Sequence, residues 1–167
     1  MRARVASQCL KCHDYVGREG MKVLEAHGDL WDVHAQGYWI AITTNGVIRA
    51  NGLGVMGAGL AKQAADRFPR LPLLLGIHLR RFGNIPASIP SMRIMTMPTK
   101  HDFRAASDLA LIQSSLQHIQ LILTRERIDR LYCPRPGCGL GQLSWEHVRG
   151  AIASQADHRF IFLHLSA

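Results

Sequence analysis

Gly54-Val55-Met56-Gly57-Ala58-Gly59 follows the apolar run Trp39-Ile40-Ala41-Ile42-Thr43-Thr44, and Pro136-Gly137-Cys138-Gly139-Leu140-Gly141 follows Leu131-Tyr132-Cys133. Each glycine loop comes after a short strand-like run and leads into a helical pattern. Glycine lets the backbone take positive φ and approach a ligand closely. A helix behind such a loop turns free N–H groups and the positive end of its dipole toward an anion. One loop of this kind is an ordinary turn. Two can grip two phosphates from opposite sides, so the pair points to a nucleotide site.

Outward from the loops, strands alternate with helices. Residues 22–26, 39–44, 93–97, 131–134 and 160–165 read as strands, the fourth entering the second glycine loop. The 39–44 run is continuously apolar, as central strands buried on both faces are. Residues 58–68 and 73–81 read as helices, with Pro69 ending the first and Pro98 stopping the strand at 93–97. The clearest helix starts at Ser107, a good N-cap; Leu109, Ile112, Leu116, Ile119 and Leu123 lay one apolar stripe along it. Ser144 reads as the cap of a further helix running to residue 153. This alternation predicts an α/β chain, a three-layer α/β/α fold with a central mixed, largely parallel sheet. Ligands in such sheets bind outside the carboxyl ends of the strands. Both glycine loops and Lys100 lie at such ends.

A chain of 167 residues is expected to form one domain, here residues 21–167. Residues 1–20 are expected to be a disordered N-terminal extension. No apolar run reaches the ~18–20 residues that span a bilayer. Arg2, Arg4, Ser7, Lys11, His13 and Asp14 interrupt any secretory apolar core, so no membrane is expected and the cytoplasm is the default. Net charge is +8. That suits a polyanionic partner, though a merely soluble basic surface reads the same way. Only Lys11, Lys22, Lys62 and Lys100 are lysines, which makes a lysine beside a phosphate loop stand out.

Cys9-Leu10-Lys11-Cys12-His13 matches the C-x-x-C-H pattern of covalent haem attachment. No distal-ligand segment follows it, and no second ligand pair completes a zinc site, because Cys133 and Cys138 read as core strand and phosphate loop. No metal or cofactor is expected. The first loop lacks G-x-x-x-x-G-K-[ST], and its G-x-x-G-x-G spacing fails the dinucleotide fingerprint. Two phosphate cradles without a magnesium-binding hydroxyl suggest that a diphosphate is bound rather than a phosphoryl group transferred.

Gly28-Asp29-Leu30, Asn45, residues 54–61, Pro98-Thr99-Lys100, and residues 137–145 running into Trp145-Glu146-His147-Val148 together resemble the macro domain family. The resemblance covers residues 22–165. It is closest to the branch containing the antitoxin that removes ADP-ribose from DNA and the terminal ADP-ribose–protein glycohydrolases. It implies ADP-ribose or an ADP-ribosylated substrate as partner, with DNA as one acceptor and an ADP-ribosyltransferase toxin as a cognate protein.

The same resemblance implies residue roles. Asp29 would accept from the adenine amino group with Leu30 beside it; as plain sequence, Asp29 is equally a turn or N-cap aspartate. Asn45 and Asn51 would lie near the distal ribose, or serve as turn asparagines. Val55, Gly57 and Gly59 on one side, and Gly137, Cys138, Gly139, Leu140 and Gly141 on the other, would enclose the diphosphate, with the Cys138 thiol read as packing, while Met56 would line the distal ribose pocket or serve as a core methionine. Lys100 would attack the anomeric carbon or stabilise the opened ribose, since a lysine partly desolvated beside a phosphate site can act as a nucleophile. Its alternative is a diphosphate counter-charge. By their position after Lys100 rather than by the resemblance, His101, Asp102 and Arg104 are candidates to touch the far side of the substrate, Asp102 also as an acid or base, or they form a solvated charged loop. The protein-directed relatives carry an aspartate where this chain has Gly141, which favours a nucleic-acid acceptor. The function implied is a glycohydrolase acting through Lys100; the alternative is a non-catalytic ADP-ribose reader.

Overall fold

The structure, a computed structural model, describes residues 12–16 and 22–164. Cys9 of the C-x-x-C-H pattern therefore lies outside the described residues. The strands are β1 (Cys12–Val16), β2 (Lys22–His27), β3 (Trp39–Asn45), β4 (Ser88–Ile89), β5 (Ile94–Lys100), β6 (Leu131–Pro134) and β7 (Phe160–His164). They form one sheet in the order β1-β2-β7-β6-β3-β5-β4. The inner pairings from β2 to β5 are parallel, while β1 and β4 add antiparallel edges. The helices are α1 (Leu30–Ala35), α2 (Gly59–Arg67), α3 (Leu71–Phe82), α4 (Leu109–Glu126) and α5 (Trp145–Ile152). None of the described helices is long and apolar enough to cross a membrane.

Alternation along each strand sends successive side chains to opposite faces, and each face has its own core. Ala41, Met95, Met97 and Phe162 meet Ile112, Leu116 and Ile119 of α4 and Val148 and Ile152 of α5. On the other face Ile40, Ile42, Ile94 and Ile161 meet Leu30 and Val33 of α1, Ala64 of α2 and Leu71, Leu75 and Leu79 of α3. This is the expected three-layer α/β/α arrangement with a mixed, largely parallel sheet.

Local readings needed correction at four places. Residues 12–16, placed in the extension, are a strand, with Cys12 opposite Ala26 and Val16 opposite Lys22. Pro98 does not stop β5. The register shifts so that Thr44 faces Pro98 while Asn45 faces Lys100; proline's missing N–H falls at the irregularity, where a sheet tolerates it. Its carbonyl accepts from Ser115 Oγ at 2.8 Å. Asp108, not Ser107, caps α4, taking the N–H groups of Ala110 and Leu111 at 2.9 and 3.3 Å. Asp29 opens α1, a helix too short to show a period in the sequence.

Neighbouring strands β3 and β6 send their following segments to opposite faces, β3 toward α2 and β6 toward α5. A crevice must open between two loops that part in this way. The 47–54 segment beside it is pressed onto α3: Gly54 N–H donates to Pro72 O at 2.8 Å, and a Cβ on Gly76 would overlap Gly52 O. Gly76→Ala is therefore expected to cost ~1–3 kcal/mol as overpacking. Thermal denaturation should show a lowered Tm, by about 2–4 °C per kcal/mol for a chain of this size.

Candidate functional site

The crevice is a cavity of about 1020 Å³. Thr43, Thr44 and Asn45 at the end of β3, and Thr99 and Lys100 at the end of β5, form its floor. The first glycine loop with the start of α2 makes one wall, and residues 134–142 make the other.

The N-terminus of α2 is built for an anion. Its cap residue, Ala58, offers no side-chain hydrogen bond, and its first turn carries no acidic residue. The first intrahelical bond runs from Lys62 N–H to Ala58 O at 3.1 Å. The N–H groups of Gly59, Leu60 and Ala61 thus have no partner within the helix, and all three residues line the cavity. Gly57 leaves the approach open, and Gly59 adopts φ +54.

The opposite wall is held rigidly. Gly137 has φ +77, and a Cβ there would meet Ile112 and Leu143 at 2.8 Å. Leu143 N–H donates to Gly137 O at 2.9 Å, and Ser107 N–H donates to Gly141 O at 3.0 Å. A Cβ on Gly141 would overlap Ser107 Oγ. Leu140 is 66% exposed, and its tip would lie 3.2 Å from a Cβ on Gly59, so the two loops nearly touch across the mouth. Lys100 Nζ donates to Leu140 O at 3.2 Å, which puts the ammonium against the second loop.

Of the residues singled out in the sequence, Asn45, Val55, Gly57, Gly59, Lys100, Arg104, Gly137, Cys138, Leu140 and Gly141 line the cavity. Buried Asn45 has an inward job: Nδ2 donates to Val55 O at 2.9 Å and Oδ1 accepts from Val47 N–H at 3.0 Å, bracing the first loop. Cys138 lines the wall as a neutral thiol; burial pushes its pKa up, against the opposing pull of the Arg135 charge.

The remaining singled-out residues lie outside the lining. Met56 and Leu30 are buried in the α1–α3 core. Gly139, at φ +70, starts the single 3-10 turn of the second loop. Asp29 accepts from Trp31 N–H at 2.7 Å and Asp32 N–H at 3.2 Å, both on Oδ1. Asn51 Oδ1 accepts from Leu53 N–H at 3.1 Å, which is a turn contact. His101 lies 3.3 Å from Asp108, while Asp102 accepts from Arg104 N–H at 2.8 Å and pairs with its guanidinium at 3.6 Å. His101 and Asp102 thus bond locally at the surface, while Arg104 belongs to the cavity lining.

Arg49, Phe103, Thr44 and Ser107 line the cavity without having been singled out for the site. Arg49 stands 3.6 Å from where a Gly57 Cβ would be. The Arg104 guanidinium sits 4.6 Å over the Phe103 ring, and both residues line the cavity. Thr44 and Ser107 hold buried hydroxyls with no hydrogen-bond partner. A buried polar group left alone costs ~1–3 kcal/mol, so the wall carries unused polar capacity.

No protein-family model and no curated protein matches the chain. Solved structures do. Over 86% of its length the chain superposes on the macrodomain of Mycobacterium tuberculosis DarG, covering 99% of that chain with a TM-score of 0.69 at 24% identity. This chain has the macrodomain fold. The Thermus aquaticus DarG macrodomain is similar over 84% of this chain and 95% of its own, with a TM-score of 0.66 and 23% identity. Thermosipho africanus DarTG, solved in complex with ADP-ribose, is similar over 86% of this chain with a TM-score of 0.69 and 23% identity. The present chain spans 41% of that protein's length. Within this fold the crevice between β3 and β6 has the geometry to take a ligand.

Proposed function

We propose that the protein binds ADP-ribose in this cavity and releases it from a modified nucleic acid, with Lys100 as the catalytic residue. The observation that carries the reading is the pair of facing walls: uncapped α2 N–H groups on one side, the 137–141 backbone on the other, and Lys100 Nζ between them at 3.2 Å from Leu140 O. A diphosphate fits that pair, because free backbone donors and a helix dipole stabilise negative charge. Asp29 still has Oδ2 open to an adenine amino group, since both of its local bonds use Oδ1. Lys100 then lies beside the distal ribose, where Nζ bonds to the anomeric carbon as the glycosidic bond breaks, the base leaving with the amine's proton and water then freeing the sugar, or where the ammonium stabilises the opened sugar. An ADP-ribosyltransferase is the class of enzyme that would supply the substrate.

Two observations favour a nucleic-acid acceptor over a protein one. Ser107 leaves no room for a side chain at position 141, where the protein-directed relatives place a carboxylate. The lining also presents Arg49, Arg104 and the 39% exposed Phe103, charges for phosphates and a ring on which a base can stack. A reader without turnover is the second reading, and the bond from Lys100 to Leu140 O supports it by giving the ammonium a purely structural task.

Incubation with ADP-ribosylated DNA and with ADP-ribosylated protein separates the readings. Faster release from DNA is expected. Release from neither substrate at high enzyme concentration, with ADP-ribose still bound in calorimetry, leaves the reader. Absence of binding at millimolar ADP-ribose removes both.

A further inference from the structure

Glu25 occupies a strand position where alternation calls for an apolar side chain. Its neighbour two residues back on β2, Val23, belongs to the core under α4 and α5, and Glu25 itself pairs with Phe162 of that same core. Its side chain is only 14% exposed. A carboxylate so placed is costly unless charges and donors surround it. Glu25 Oε1 accepts from Arg135 Nη2 at 3.1 Å and from Trp145 Nε1 at 2.7 Å, and Oε2 accepts from Arg149 Nη1 at 3.3 Å.

Those donors have a common location. Arg135 directly follows β6 and begins the second glycine loop; Trp145 ends it as the first residue of α5, with Arg149 one turn further on. Both ends of the 135–145 segment therefore converge on one carboxylate oxygen. The Arg135 guanidinium also lies 5.1 Å over the Trp145 ring, which packs 5.4 Å from Phe162. Among the described residues these donors account for an acid on this face of β2.

We infer that Glu25 is a positioning residue: it staples the two ends of the second glycine loop and so sets the loop's backbone N–H groups for the diphosphate. This rests on the ADP-ribose reading of the cavity. A staple acts on ligands that reach the loop and not on those that stop short of it. Loss of the staple should therefore weaken ADP-ribose while sparing adenosine, which has no phosphate. A merely structural role would lower both together.

The test uses the full chain, with ADP-ribose followed by calorimetry and adenosine by NMR titration. Glu25→Gln is expected to weaken ADP-ribose about tenfold, since small displacements of positioning groups are costly, with adenosine unchanged within about twofold. Trp145→Phe keeps the ring's packing, removes one donor, and should weaken ADP-ribose about threefold, the scale of one hydrogen bond. It keeps the inference testable if Glu25→Gln does not fold. The double variant should bind like Glu25→Gln alone, because both changes act through one carboxylate. Equal losses for adenosine and ADP-ribose, or wild-type affinity in Trp145→Phe, overturns the staple while leaving the ADP-ribose reading standing. Failure of the wild-type protein to bind ADP-ribose removes both.

Discussion

Lys100→Ala is expected to abolish release of ADP-ribose while leaving its binding nearly intact. The lysine's hydrogen bond to Leu140 O is exposed, and exposed charge contacts are worth only ~0–1 kcal/mol. Affinity should therefore weaken by a few-fold at most. A group that reacts with or directly stabilises the opening ribose is different in scale: each tenfold in rate is ~1.4 kcal/mol of barrier, and removal of such a group is expected to cost ~10³-fold or more. Lys100→Arg adds a control, because it keeps the charge but not the compact amine. It should bind as wild type does and fail in turnover as the alanine variant does. Single-turnover assays with ADP-ribosylated DNA, paired with calorimetry, read both quantities. Turnover surviving in both variants would take the chemistry away from Lys100. Turnover surviving in the arginine variant alone would make the lysine an electrostatic partner.

What could be read in the sequence was what depends on local pattern. The continuous apolar 39–44 run became an inner strand of the sheet, with Ile40, Ala41 and Ile42 fully buried. The stripe through Ile112, Leu116, Ile119 and Leu123 became the buried face of α4. Both glycine loops sit at strand ends for the same reason: glycine spacing is a local backbone requirement. What could not be read depends on pairing between distant residues. Glu25 carries no motif, and its meaning appears only when Arg135 and Trp145, 110 and 120 residues away, fold onto it. Pro98 was read as a stop because a proline's cost depends on whether its N–H position needs a partner, and a register shift decides that. Likewise β4 has two residues, too few for any period. Asn45 lines the cavity, but that its amide also braces the first loop depends on contacts no local pattern announces.

Gly57→Leu should do the reverse of the lysine variants and remove binding itself. Gly57 lines the cavity, and its φ is not in the left-handed region, so an L side chain meets no backbone strain there. The nearest atom to an added Cβ is Arg49 Nη2 at 3.6 Å, ordinary van der Waals contact. The fold therefore accepts the substitution, and the leucine's remaining atoms go into the space proposed for the diphosphate. ADP-ribose affinity is expected to fall ~100-fold or more, about 2.7 kcal/mol, with Tm changed by no more than about 2 °C, the ±0.5 kcal/mol scale of an accommodated surface change. Gly141→Asp makes the useful contrast, because its Cβ runs into Ser107 Oγ. It should lower Tm and displace the loop, so that any loss of binding comes with a loss of stability. Calorimetry and thermal denaturation on the two variants separate a blocked cavity from a broken one. If Gly57→Leu binds ADP-ribose as tightly as wild type, the diphosphate does not lie along the first glycine loop, and the nucleotide reading of the crevice fails with it.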